Sequence, residues 1–196
     1  PGDQLLISVL CNALTSMIND QSKGSPLRSV SEIIADLLSG VEIDKRLLHK
    51  LELPCRSPWQ FLVIGNMYRN DIAFKRGLAK RFQNANIPCV PIIYEDYVVI
   101  LSSEKHTSSL VHTVLEPRGE QYYLAGISLP FDDLEMASVR YRQTLFTLHH
   151  AKEKQGVYYS ENDAFRYLLT EMEKQNKLQW LIHPALNILK RYDDVH

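Results

Sequence analysis

Residues 88–103 read PCVPIIYEDYVVILSS: two apolar, β-branched runs separated by one polar pair, Glu95-Asp96. Successive side chains of an extended chain point to opposite faces. Two such runs around a short polar break are the pattern of strands folding back on one another. This stretch commits the chain to a sheet with at least one antiparallel pair. Glu-Asp is a poor type I′ pair, because both central residues of that turn need positive φ. A turn longer than two residues therefore stays open.

A lone hairpin is marginal in water, so more strands and a cover are needed. WQFLVIG (59–65) is a short buried-strand run closed by Gly65. QYYLAGISLP (121–130) is a further strand with Gly126 near its end, and GVYYSE (156–161) is a last short one. Between them the period changes to that of helices. NDIAFKRGLAKRFQNAN (70–86) places Ile72, Leu78, Ala79 and Phe82 at helical spacing. Its Lys75, Arg76, Lys80 and Arg81 read as a solvated face, with docking of an acidic partner as the other reading. SSLVHTVLEP (108–117) is a second helix. A third starts at Asp132, three residues before Glu135 as in a capping box, and runs through Tyr141 and Leu148 to about Lys154. AFRYLLTEMEKQN (164–176) is the next. The order β-α-β-β-α-β-α-β-α predicts an α+β fold: a mixed sheet covered by helices.

Helical extensions flank this core. Residues 3–20 form an apolar stripe of helical period, with Leu6, Leu10, Leu14 and Met17 in a row. Such a stripe must bury itself, in its own core or in a dimer seam, and these four residues are the candidate interface. QSKGSP (21–26) breaks it. SVSEIIADLLSG (29–40) carries Ser29 and Glu32 at capping-box spacing and Gly40 as a C-cap. DKRLLHKLEL (44–53) is a short helix running into Pro54. Leu178 to His196 adds helical material. The expected organisation is N-terminal connector helices over 1–54, a sheet domain over 55–176 and a helical linker over 177–196. A start at Pro1 rather than Met suggests an excised piece of a longer chain.

Chemistry is sparse. With 22 basic and 23 acidic residues the net charge is −1, which removes the electrostatic argument for nucleic-acid or membrane binding by this segment. No apolar run reaches the roughly 18 residues of a membrane span. Cys11, Cys55 and Cys89 have no CxxC spacing and read as reduced thiols of a cytoplasmic protein. There is no GxSxG, no phosphate-binding glycine loop and no metal-ligand spacing. His149 and His150 are adjacent on a helix and diverge by about 100°. Asp132-Asp133 and Asp193-Asp194 read as solvated caps.

Three stretches carry a family likeness. GISLPFDDLEMASVRYRQTLFTLHHAK (126–152) resembles the strand end, loop and long helix, with Tyr141-Arg142-Gln143 at its middle, of the regulatory domain of PucR/CdaR-type bacterial transcription regulators. HPALNILKRYDDVH (183–196) resembles the segment before their C-terminal helix-turn-helix. ADLLSGVEIDKRLLHKLELPCRSPWQFLVIG (35–65) is similar to their lead-in. The resemblance implies a degenerate GGDEF-like domain with a nucleotide-cyclase-like sheet. In active relatives of that fold the first strand ends in a metal-binding Asp, and the hairpin carries Gly-Gly-Asp-Glu-Phe. Here the strand ends Ile64-Gly65-Asn66-Met67-Tyr68. Glu95, Asp96 and Tyr97 stand for Asp, Glu and Phe, and Ile93 and Tyr94 replace both glycines.

The resemblance thus implies a non-catalytic, signal-transmitting and dimerising domain without metal or cofactor. Its upstream sensor and DNA-binding module would lie elsewhere in the chain, and DNA would be reached only through that module. A second reading keeps the degenerate groove as a small-molecule site lined by Asn66, Tyr68, Glu95 and Asp96. A residual nucleotide cyclase is the third.

Overall fold

The computed structural model describes residues 28–66, 72–115, 123–153, 155–175 and 177. Helix 3–20, with Leu6, Leu10, Leu14 and Met17, lies outside the described residues, as do Tyr68 and the segment after Lys177. The elements are α1 (Val30–Ser39), α2 (Lys45–His49), β1 (Trp59–Asn66), α3 (Ile72–Gln83), β2 (Cys89–Tyr94), β3 (Tyr97–Ser103), α4 (Glu104–Leu110), β4 (Tyr123–Ile127), α5 (Ala137–His149), β5 (Gly156–Tyr159) and α6 (Ala164–Lys174). The fold is α+β with one mixed five-stranded sheet.

The sheet order is β2-β3-β1-β4-β5. β1 runs antiparallel to both β3 and β4, β2 and β3 form the hairpin, and β5 joins β4 in parallel. β1 and β2 are therefore parallel strands split by β3, and β3 and β4 are parallel strands split by β1. Helix α3 makes the first crossover and α4 the second, the split β-α-β arrangement taken twice.

β1 and β3 lie in the middle and read as unbroken apolar runs because both their faces are covered. Phe61, Val63, Val99 and Leu101 point to one face, where Ile34, Leu37 and Leu38 of α1 and Ala137, Tyr141 and Leu148 of α5 meet them. Leu62, Ile64, Val98 and Ile100 point to the other, under Leu78 and Phe82 of α3 and Leu110 of α4. Each large side chain fully buried this way contributes roughly 1.5–3 kcal/mol. Helix α1 thus shares the core of the sheet.

Local signals hold where they are self-contained. The Ser29 hydroxyl accepts from the Glu32 N–H (3.2 Å), and the Glu32 carboxylate accepts from the Ser29 N–H (2.8 Å). Gly40 ends α1 at φ +84°.

Boundaries set by tertiary contacts differ from the periodicity. The second helix begins at Glu104 instead of Ser108 and widens into a π turn over Val111–Leu115. The Thr107 hydroxyl is buried against Ser102 Oγ (2.9 Å), and the Glu104 N–H donates to the Pro58 carbonyl (2.9 Å), so polar residues that look like a loop form a helical turn. Asp133, one residue after the expected cap, accepts from the Glu135 N–H (2.9 Å) and opens a 3-10 turn over Leu134–Met136. Residue 131 is held back by a reciprocal pair of backbone bonds between Trp59 and Phe131 (2.7 and 2.9 Å). Helix α5 stops at His149, short of Lys154, and α2 stops at His49, because Leu51 and Leu53 leave the helix to pack on the core. β5 ends at Tyr159, where a 3-10 turn begins.

Gly126 is where α5 crosses β4. A Cβ there would sit 2.6 Å from Thr144 Cγ2 and 3.0 Å from Leu148 Cγ. Gly126→Ala is expected to lower stability by about 1–3 kcal/mol, the range for overpacking a filled contact. Adding Thr144→Ser, which removes the methyl, should recover part of the loss in urea unfolding. Equal stability of Gly126→Ala and the native chain would contradict this close crossing.

Candidate functional site

The hairpin turn has two residues after all: Tyr94 pairs with Tyr97, and Glu95 and Asp96 lie between them. Glu95 takes φ +50°, in the left-handed region. That conformation costs a residue with a Cβ on the order of 1–2 kcal/mol. Contacts from both faces of the sheet compensate. From α3, Lys75 Nζ donates to the Glu95 carbonyl (3.2 Å) and to Asp96 Oδ1 (3.3 Å). From α5, the Tyr141 hydroxyl donates to Glu95 Oε2 (3.4 Å).

Aromatic rings complete the tip. Tyr94 meets Tyr141 edge-on with centroids 5.4 Å apart. The Tyr97 ring lies on Gly65 of β1, so that a Cβ at Gly65 would stand 3.1 Å from it. The Tyr97 hydroxyl and His149 Nε2 are 3.4 Å apart. Tyr94, Tyr97 and Tyr141 all have their phenols raised above the ordinary value, burial being the first cause in each. For Tyr141 the neighbouring Glu95 adds to it.

Among the sequence-named groove residues, Glu95 and Asp96 sit together in this turn, and Asn66 ends β1 opposite Tyr123 of β4. Lys75 corrects the reading of its helix face as solvated: its side chain is only 10 % exposed, spanning from α3 to the turn. Arg76 and Lys80 of the same helix are exposed. The sequence signal for Lys75 was its place one turn before the buried Leu78, which periodicity alone does not separate from an exposed position. Tyr141, named for its family likeness and its apolar spacing, turns out to carry the polar contact from the other side.

Other chemistry-bearing groups are engaged elsewhere. The Cys55 thiol is buried and pushed up to about 11 by that burial, the opposite of what a thiolate nucleophile needs. His150 bonds its own helix at the Phe146 carbonyl (2.8 Å), so the adjacent histidines serve different partners. A cleft of about 500 Å³ between the α1–α2 connection and α5 has Lys45 and Glu135 on its wall, paired with each other at 2.8 Å. Among the described residues no three His, Cys, Asp or Glu side chains converge as a metal site, and no helix is long and apolar enough to cross a membrane.

Alkaline pH tests the tip. A phenol or thiol held protonated in the folded state contributes stability that is complete below its unfolded value. That stability drains away as pH rises and the unfolded chain ionises first. For Cys55 the window opens near 9 and closes near 11; for the tyrosines it opens near about 10. Urea midpoints should fall steadily from about pH 9 upward. Tyr141→Phe should flatten the part of that slope above about pH 10, while costing about 0.5–1.5 kcal/mol at neutral pH for the lost hydrogen bond. An unchanged slope would place Tyr141 outside the ionisation-sensitive core.

No protein-family model matches the chain, and neither the curated proteins nor the solved structures gave a match.

Proposed function

We propose that the chain is a non-catalytic, dimerising regulatory domain of a bacterial transcription regulator of the PucR/CdaR type. It keeps a nucleotide-cyclase-like sheet without the cyclase reaction. It works in the cytoplasm and touches DNA only through a helix-turn-helix module elsewhere in the same polypeptide. The observation that carries the reading is the hairpin tip, whose two acids are exposed yet each touch a side chain of the chain itself. Both carboxylates that stand in the places of the cyclase acids are held by the chain's own groups, Asp96 by Lys75 and Glu95 by Tyr141. Ile93 and Tyr94 fill the two hairpin positions where the resemblance expects glycines that let a nucleotide approach the backbone. Metal-assisted phosphodiester chemistry requires acids free to hold cations and close backbone donors for phosphates.

The action that remains is mechanical. A tip gripped from both sides couples α3 to α5 through the sheet. An upstream event that shifts the packing of helix 3–20 changes the arrangement of two copies. That alters the spacing of two DNA-binding units on an operator.

Incubation of the protein with GTP or ATP and Mn²⁺ should yield no cyclic or linear dinucleotide; product formation would overturn the reading. Leu10→Glu with Leu14→Glu should halve the mass seen by light scattering at micromolar concentration, and an unchanged mass would remove the helix 3–20 seam. A melting temperature raised by a purine nucleotide, and returned to baseline by Glu95→Ala, would replace transmission with ligand sensing at the same tip.

A further inference from the structure

Among the described residues β2 is a sheet edge with one neighbour, β3. Because the hairpin turn has two residues, Tyr94 and Tyr97 form a hydrogen-bonded pair, and so do the pairs at every second position from them. Val90, Ile92 and Tyr94 therefore spend their main-chain groups on β3. Cys89, Pro91 and Ile93 turn theirs to the outside. Pro91 sits at one of the outward positions, where its missing N–H costs the sheet nothing. Ile93 still presents an outward N–H and C=O, and Pro91 an outward C=O.

A groove of about 530 Å³ runs along this edge. Pro91, Ile92 and Ile93 form its floor. One wall is α3, with Arg76 and Lys80; the other is α1, with Ala35 and Glu32. Glu32 is committed to its capping box with Ser29. Arg76 and Lys80 are exposed, and no carboxylate among the described residues pairs with either. The two walls thus differ: α3 brings two cations, Arg76 and Lys80, and α1 brings small residues and one exposed carboxylate, Glu32.

We propose that this edge is a docking site for an extended acidic peptide segment of a partner protein, added to the sheet as a sixth strand beside β2. The spacing supports it. Arg76 and Lys80 are one turn apart on α3, about 6 Å along the helix axis. Alternate residues of a strand are about 6.6–6.8 Å apart and share a face. Odd-numbered β2 residues face the α3 side, as Cys89 does beneath Phe82. Peptide residues opposite Pro91 and Ile93 would face the same way, toward the two cations. The residue between them would face Ala35, which leaves room for a small side chain. Main-chain bonds supply adhesion and the alternate side chains supply choice, as in other strand additions.

A second copy is the poorer occupant. Edge-to-edge pairing of two β2 strands about a twofold normal to the sheet would set both α3 walls on the same side, cation against cation. Pro91 also blunts such self-pairing.

The test uses the full chain and three fluorescein-labelled octapeptides. One alternates glutamate with threonine, one has lysine for glutamate, and one is the glutamate peptide N-methylated at every glutamate amide. Fluorescence anisotropy at low ionic strength should show binding of the first alone. Affinity should fall at least about tenfold with Arg76→Gln plus Lys80→Gln, two exposed positions, with circular dichroism confirming that the variant is folded. The Ile93 amide resonance should move on titration. Failure of the glutamate peptide to bind would overturn the proposal. Equal binding of the lysine peptide would do so too, as would equal binding of the N-methylated peptide or a stationary Ile93 resonance. A doubling of mass at rising protein concentration, with the Ile93 resonance moving in the absence of peptide, would assign the edge to a second copy instead.

Discussion

Two strands buried on both faces govern this molecule. β1 and β3 have no solvent side, so Phe61 through Ile64 and Val98 through Leu101 must all be apolar, and helices must lie above and below. That requirement places α1 and α5 on one face and α3 and α4 on the other. It also settles where polar groups can go. Hydroxyls that enter the core are bonded there, Ser102 to Thr107 and Ser160 to Thr144, and Ser128 and Thr147 to main-chain carbonyls. An unpaired hydroxyl there would cost about 1–3 kcal/mol.

The hairpin tip projects from this core, and there α3 and α5 reach the same residue from opposite faces. Lys75 and Tyr141 are attached to different layers but hold one strained turn at Glu95. The turn therefore reports on both layers at once. Among the described residues the edge of β2, by contrast, has main-chain groups turned outward beside Arg76 and Lys80.

Much of the fold is legible in the residues. All five strands, the element order and the caps of α1 follow from patterns within about ten residues: apolar runs, a polar break, Ser29 with Glu32, and a closing Gly40. The departures share one cause. Thr107, Asp133, Leu51 and Leu53 are placed by groups distant in sequence, and local periodicity is blind to those. The site shows the same division. Glu95 and Asp96 stand out because they interrupt an apolar run. Lys75 does not, since a lysine between helix-face positions looks the same whether its amine meets water or a turn 20 residues on.

By itself the amino-acid sequence determined the α+β class and the hairpin about Glu95-Asp96, because these depend on side-chain type and short spacing. Only the tertiary structure decided that the turn would have two residues, that Lys75 would be drawn inside to hold it, and that β2 would be the sheet edge of the described residues, beside Arg76 and Lys80 of α3. Those outcomes depend on which elements the sheet order brings together, and strand order is a property of how distant apolar faces cover each other.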